Sequence, residues 1–183
     1  MSRKEQLKLV KKHVKNKNLV KHMIATENVL EDLAVYLEED KKKWATAGLL
    51  HDIDYDNTAE DPKNHSLLGA EILEKAGFED DIVYAVKVHN PAHGFERKSK
   101  LDKALYCADP VTGLIVASAL IHPDKKLNSI DTPFVLKRFN EKQFARGANR
   151  DQISACSELG LSLDKFVSLA LEAMQKNHKE LGL

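Results

Sequence analysis

The chain is poor in cysteine, in long apolar runs and in net charge, and each shortage excludes something. Only Cys107 and Cys156 are present among 183 residues. Both sit in apolar helical contexts without metal-ligand spacing, which argues against a disulfide framework or a thiolate metal site. The expectation is reduced core thiols in a cytoplasmic protein. The longest apolar runs, such as 113–121, fall short of the ~18–20 residues needed to cross a bilayer. The amino terminus lacks the apolar segment of a signal peptide. Lys+Arg and Asp+Glu are both 28, so no global field recruits nucleic acid. With apolar residues at 43% and charged residues at 31%, the composition excludes a disordered chain.

The neutral total hides an uneven distribution. Residues 1–21 hold Arg3 and seven lysines against Glu5, whereas residues 27–61 hold eleven acids against Lys41, Lys42 and Lys43. The basic amino-terminal stretch contains no aromatic residue on which a base could stack, so a solvated helix explains it and no nucleic-acid partner is expected.

Almost every segment reads as helix. Ser2 and Glu5 form a capping-box pattern. A second helix covers about 19–37 with a stripe of Leu19, Met23, Leu30, Leu33 and Leu37, and a third covers about 42–51. Residues 53–61 have loop chemistry. Asp61-Pro62 is expected to open a helix that Gly77 ends. Further helices are expected over about 80–89, 101–121, a short one from Thr132-Pro133, 150–159 and 162–181. Alternating strand patterns, internal repeats, low-complexity stretches and linkers are all missing. The chain is therefore expected to be one all-α domain over 1–183, with helices of about 129–181 packed on a core of about 19–121.

Chemistry must be sought among the eight histidines and their carboxylate neighbours. His51-Asp52 follows the apolar Leu49-Leu50 at a helix end, where an imidazole favours the negative end of the dipole but a carboxylate does not. An acid there calls for a cation. His22 lies beside the apolar stripe of the second helix, and Asp109 stands in an otherwise apolar helix; both need partners if buried. Duller readings exist: a hydrogen-bonded core histidine, and Asp109-Pro110 as a helix start. His22, His51, Asp52 and Asp109 nonetheless make a four-donor set of nitrogen and oxygen.

The order His22, His51-Asp52, Asp109, each within apolar helix, resembles the HD-domain superfamily of metal-dependent phosphohydrolases. Further matches to its small bacterial single-domain members are the run Gly48-Leu49-Leu50-His51-Asp52-Ile53-Asp54-Tyr55, His65-Ser66, 69–73, His89-Asn90, 108–115 and 144–150. The resemblance implies an all-α HD-domain-like bundle with His22, His51, Asp52 and Asp109 as ligands of a divalent metal ion. It implies His65 and His89 as ligands of a second ion, with Asp52 able to bridge. The pattern departs from some branches: Asn90 follows His89 where signalling members carry adjacent histidines, and Asp54-Tyr55 replaces Gly-Lys. The Gly-Tyr-Pro motif of cyclic-dinucleotide hydrolases is absent.

Nitrogen-plus-oxygen ligation suits Fe, Mn, Co, Ni or Zn. The implied activity is hydrolysis of a phosphate ester of a small molecule, with a nucleotide as one candidate, by a metal-activated hydroxide. Asp52, Asp54 and Asp56 are the candidate catalytic carboxylates, the last two for positioning water or an imidazole. Arg146 and Arg150 are candidates to grip the substrate phosphate. The rival reading is a metal-containing nucleotide sensor with little turnover. No membrane partner is expected.

Overall fold

The computed structural model describes residues 1–183 and is entirely helical, without strands. The helices are α1 (Arg3–His13), α2 (Lys17–Tyr36), α3 (Lys41–Leu50), α4 (Tyr55–Thr58), α5 (Leu67–Lys75), α6 (Asp80–Val88), α7 (Lys100–Ile121), α8 (Thr132–Phe139), α9 (Arg150–Ser154), α10 (Leu163–Lys176) and α11 (His178–Leu181). Short 3₁₀ turns lie at Pro91–His93, Leu127–Ser129 and Ala155–Leu159.

Local chemistry accounts for most boundaries. Ser2 and Glu5 close the full capping box on α1, and Ser99 with Asp102 does the same for α7. Gly77 takes φ +77° after the last turn of α5, the left-handed position that favours glycine.

Two helices organise the bundle. Every residue of α2 from Met23 to Leu30 is buried, so the middle of this helix is enclosed on all sides rather than half-solvated. It packs against α3, α7 and α10. The buried Glu27 that results is held by Arg3, at 2.6 and 2.8 Å, and Arg3 also reaches Glu180 of α11 at 3.0 Å. Gly48 lets α3 approach α2: a Cβ there would lie 2.7 Å from the Thr26 carbonyl oxygen. The second organiser, α7, contacts α2, α6, α8, α9 and α10. By length and composition α7 could cross a membrane, although its apolar runs are broken by Asp102, Lys103 and Asp109. In this fold it is the central core helix.

Pro110 lies inside α7, which continues through it, so Asp109 is not the start of a new helix. Asp61-Pro62 does not open α5; that helix begins at Leu67. The reason is a buried carboxylate: Asp54 accepts the amides of Ser66 at 2.8 Å and Gly69 at 2.9 Å, holding 62–66 as a turn with Ser66 at φ +71°. Cys107 and Cys156 are free and buried, and burial pushes both thiols above their ordinary range.

Candidate metal centre

Four imidazoles converge where α2, α3, α6 and α7 meet the turn before α5. His51 and His89 are built alike: each follows the last residue of its helix, where carbonyls lack intrahelical donors. His51 Nδ1 lies 2.8 Å from the Gly48 carbonyl, and His89 Nδ1 lies 2.6 Å from that of Val86. A carbonyl only accepts, so both rings carry a proton on Nδ1 and turn Nε2 inward.

His22 reaches the same state by another route. Its Nδ1 lies 3.0 Å from the Thr112 hydroxyl, which itself donates to the Asp109 carbonyl at 2.8 Å. The single hydroxyl proton is thus engaged, and Thr112 accepts from His22. His65 Nδ1 donates to Asp54 Oδ1 at 3.0 Å. All four rings are anchored through Nδ1 and aim Nε2 at Asp52, as metal-ligating histidines are held by their outer partners.

The inner atoms lie close together. His22 Nε2 is 3.2 Å from His51 Nε2 and 3.1 Å from Asp109 Oδ1. Asp52 Oδ2 stands 3.6 Å from His22 Nε2 and 3.4 Å from His51 Nε2, and His51 Nε2 is 3.7 Å from Asp109 Oδ1. A cation ~2.0–2.1 Å from four donors would space them by about 3.3–3.4 Å. The other oxygen, Asp52 Oδ1, lies 3.5 Å from both His65 Nε2 and His89 Nε2. Asp52 therefore faces one His pair with each oxygen.

In their neutral form the His22 and His51 rings set two lone pairs 3.2 Å apart that cannot hydrogen-bond to each other, and His89 Nε2 is buried without any hydrogen-bond partner. A divalent cation satisfies these lone pairs, so the donor set fits one. Charge agrees. Burial opposes ionisation of Asp52, yet the surrounding imidazoles, His51 foremost, hold its carboxyl well below the usual range. Burial would likewise lower the His51 ring, but Asp52 and Asp109 outweigh it and raise the ring well above its ordinary 6.5. The site stabilises positive charge.

The supporting residues are partly new. Asp54, fully buried, orients His65 rather than facing the inner atoms. Asn90 donates to the Pro62 and His65 carbonyls at 3.1 and 3.2 Å, and His93 Nε2 lies 2.8 Å from the latter. Asn90 and His93 thus brace the strained turn that presents His65. The sequence offered one signal for Thr112: it stands three residues after Asp109 on the same helix. We expect Asp54→Asn to weaken metal binding at the His65 and His89 side by about 10–100-fold, measured by metal titration.

Two expectations are corrected. Asp56 is not at the centre: its Oδ2 accepts the amides of Lys15 and Asn16, the latter at 3.2 Å, tying α4 to the α1–α2 junction. Arg150 does not face a phosphate. Its guanidinium donates to the carbonyls of Arg138, Phe139, Glu141, Phe144, Ala145 and Ala148, closing the α8–α9 turn. Arg150→Lys, which lacks the fork, is expected to lower stability by about 2 kcal/mol with metal content unchanged, read by denaturant unfolding. Arg146 is exposed in the same turn, and none of the cluster's hydrogen bonds or ion pairs reaches it. A cavity of about 1010 Å³ between α1, α3 and the α5–α6 turn is lined by none of the cluster residues.

A helical bundle enclosing a His/Asp cation cradle of this kind defines a class of metal-dependent hydrolases. The chain belongs to the HD-domain family: the HD domain model matches residues 19–114, more than half its length. Curated relatives include Ribonuclease Y of Oleidesulfovibrio alaskensis, 31% identical over 100 residues, covering 54% of this chain and 18% of that protein. Ribonuclease Y of Lawsonia intracellularis is 34% identical over 88 residues, covering 48% of this chain and 16% of that protein. The matches thus span under a fifth of those relatives. No solved structure matches the chain.

Proposed function

We propose that this chain is a metal-dependent phosphohydrolase that cleaves a phosphate ester of a small molecule, with a nucleotide as one candidate. The observation that supports it most is the common orientation of four imidazoles, each anchored at Nδ1 and turned inward at Nε2 around Asp52. In this reading His22, His51, Asp52 and Asp109 hold one divalent ion, of Fe, Mn, Co, Ni or Zn type, while His65 and His89 with Asp52 hold a second. When bound, the cation supplies Lewis acidity toward a phosphoryl oxygen and acidifies water.

The protein's own groups do the rest. Asp54 fixes the His65 ring, and Thr112 fixes the His22 ring, so the donors are pre-positioned. His51, Asp52 and His89 are buried, whereas His22 and Asp109 keep 24% and 28% side-chain exposure. A phosphate ester thus approaches from the α2–α7 side, and bulk water is kept from the rest. A cytoplasmic setting, with both thiols reduced, belongs to the same reading.

The test is elemental analysis of untagged, dialysed protein together with a panel of phosphate esters, including short oligoribonucleotides because the curated relatives are named ribonucleases. At least one metal per chain and turnover of a small ester support the proposal. Metal with nucleotide binding but no turnover favours the sensor reading.

The charge balance also predicts a pH effect. The His51 and His65 rings are raised above 6.5, so a cation must displace protons at neutral pH. Metal affinity is expected to fall at least about tenfold from pH 8 to pH 6, measured against a competing chelator. Metal-free protein should behave oppositely. Raised imidazoles stabilise the fold below their ordinary 6.5, and that contribution fades as pH climbs through the raised values.

A further inference from the structure

We propose that the groove running away from the cluster between α2 and α7 binds the organic half of a small phosphate monoester of nucleoside size, and that Gly113 keeps it open. The proposal rests on the centre being a phosphoester site and adds the part of the substrate that the centre does not touch.

The groove touches the cluster at His22. Asp109, Gly113, Val116 and Leu120 follow one another along one face of α7 at helical spacing. Asn18, His22 and Ala25 do so on α2. His22, Gly113, Val116 and Leu120 line a cavity of about 350 Å³, within the ~300–1,000 Å³ typical of small-molecule sites. This is also the side on which the cluster is open, since His22 and Asp109 are its most exposed members.

Gly113 carries the argument. A Cβ at this position would meet nothing within 4 Å, in contrast to Gly48, which is wedged against backbone. Packing therefore does not require glycine here, and its φ is ordinary for a helix. Glycine inside a helix costs about 0.5–1 kcal/mol relative to alanine. One turn beyond Asp109, its missing side chain leaves room in the cavity.

The lining describes the occupant. Ala25, Val116 and the 48% exposed Leu120 form an apolar floor. Asn18 and Lys21 stand on the rim, and Lys21 forms no ion pair within the chain. Leu181, Gly182 and Leu183 close the far end, with α11 held by the 3.0 Å Arg3–Glu180 pair. A bounded, half-apolar pocket with a polar rim suits a flat heterocycle carrying a polar sugar better than an extended polymer.

The experiment uses the metal-loaded 183-residue chain and calorimetry with two non-hydrolysable probes that share a head group: methylphosphonate and the 5′-methylenephosphonate analogue of AMP. Wild type is expected to bind the nucleoside probe at least about tenfold tighter than methylphosphonate. Gly113→Val should lose that advantage, Gly113→Ala should lose part of it, and both should bind methylphosphonate as wild type does. Metal content and melting temperature verify that the variants fold. The groove proposal is overturned if wild type shows no advantage for the nucleoside probe, or if Gly113→Val retains it. Failure of both probes to bind overturns the phosphoester reading of the centre, and the groove with it; binding of methylphosphonate alone overturns only the groove.

Discussion

Replacing His51 and Asp52 together by alanine is expected to leave well under one divalent ion per chain and to lower phosphate-ester hydrolysis by more than about 10³-fold. His51 Nε2 lies within 3.2–3.7 Å of donors from His22, Asp52 and Asp109, and Asp52 faces all four imidazoles. Because Asp52 faces both halves of the cluster, this pair of substitutions strips donors from each. Removing both an imidazole and its neighbouring carboxylate also avoids leaving one buried charge unpaired, the costlier outcome. The double variant is therefore expected to fold, and elemental analysis beside an activity assay reads the result. Full activity with a retained metal would show that the centre lies elsewhere.

Gly48→Ala is the substitution expected to hurt stability most for its size. Helix propensity alone favours alanine by about 1 kcal/mol. Against this, the added methyl would sit 2.7 Å from the Thr26 oxygen and 2.8 Å from the Glu27 Cα. Both are backbone atoms of the enclosed middle of α2, so neither can swing away. Overpacking of this kind costs about 1–3 kcal/mol, more where rigid elements meet. We expect sterics to win, with a net loss of about 3 kcal/mol and a melting temperature lower by roughly 6–12 °C. Because the Gly48 carbonyl also orients His51 at 2.8 Å, metal affinity should fall too. A melting temperature equal to wild type would contradict the close approach of α2 and α3.

How much of this was legible in the sequence depends on the range over which each residue acts. Capping at Ser2 and Glu5, the stop at Gly77 and the helical character of nearly every segment follow from neighbours a few positions away. The candidate ligands were legible as an ordered set, because His22 and Asp109 each interrupt an apolar helix and the His51-Asp52 pair ends one. The supporting contacts were not. Asp54 and Asp56 look alike in sequence, but the chain turns between them, sending one carboxylate into the centre's support and the other toward Lys15 and Asn16. Arg150 has the chemistry for phosphate, and peptide carbonyls answer the same donors. Asp61-Pro62 has the residues of a helix start, yet the long-range carboxylate of Asp54 delays the helix to Leu67.

The donors of the centre come from segments between His22 and Asp109 that are joined only through long stretches of chain. A cation held there acts as a removable cross-link, closing the same kind of loops that a disulfide would close in a secreted protein. A chelator should then affect this bundle as a reductant affects such a protein. The loosening would begin where the staple sits, among α2, α3, α6 and α7, while the carbonyl knot around Arg150 keeps the α8–α9 turn intact.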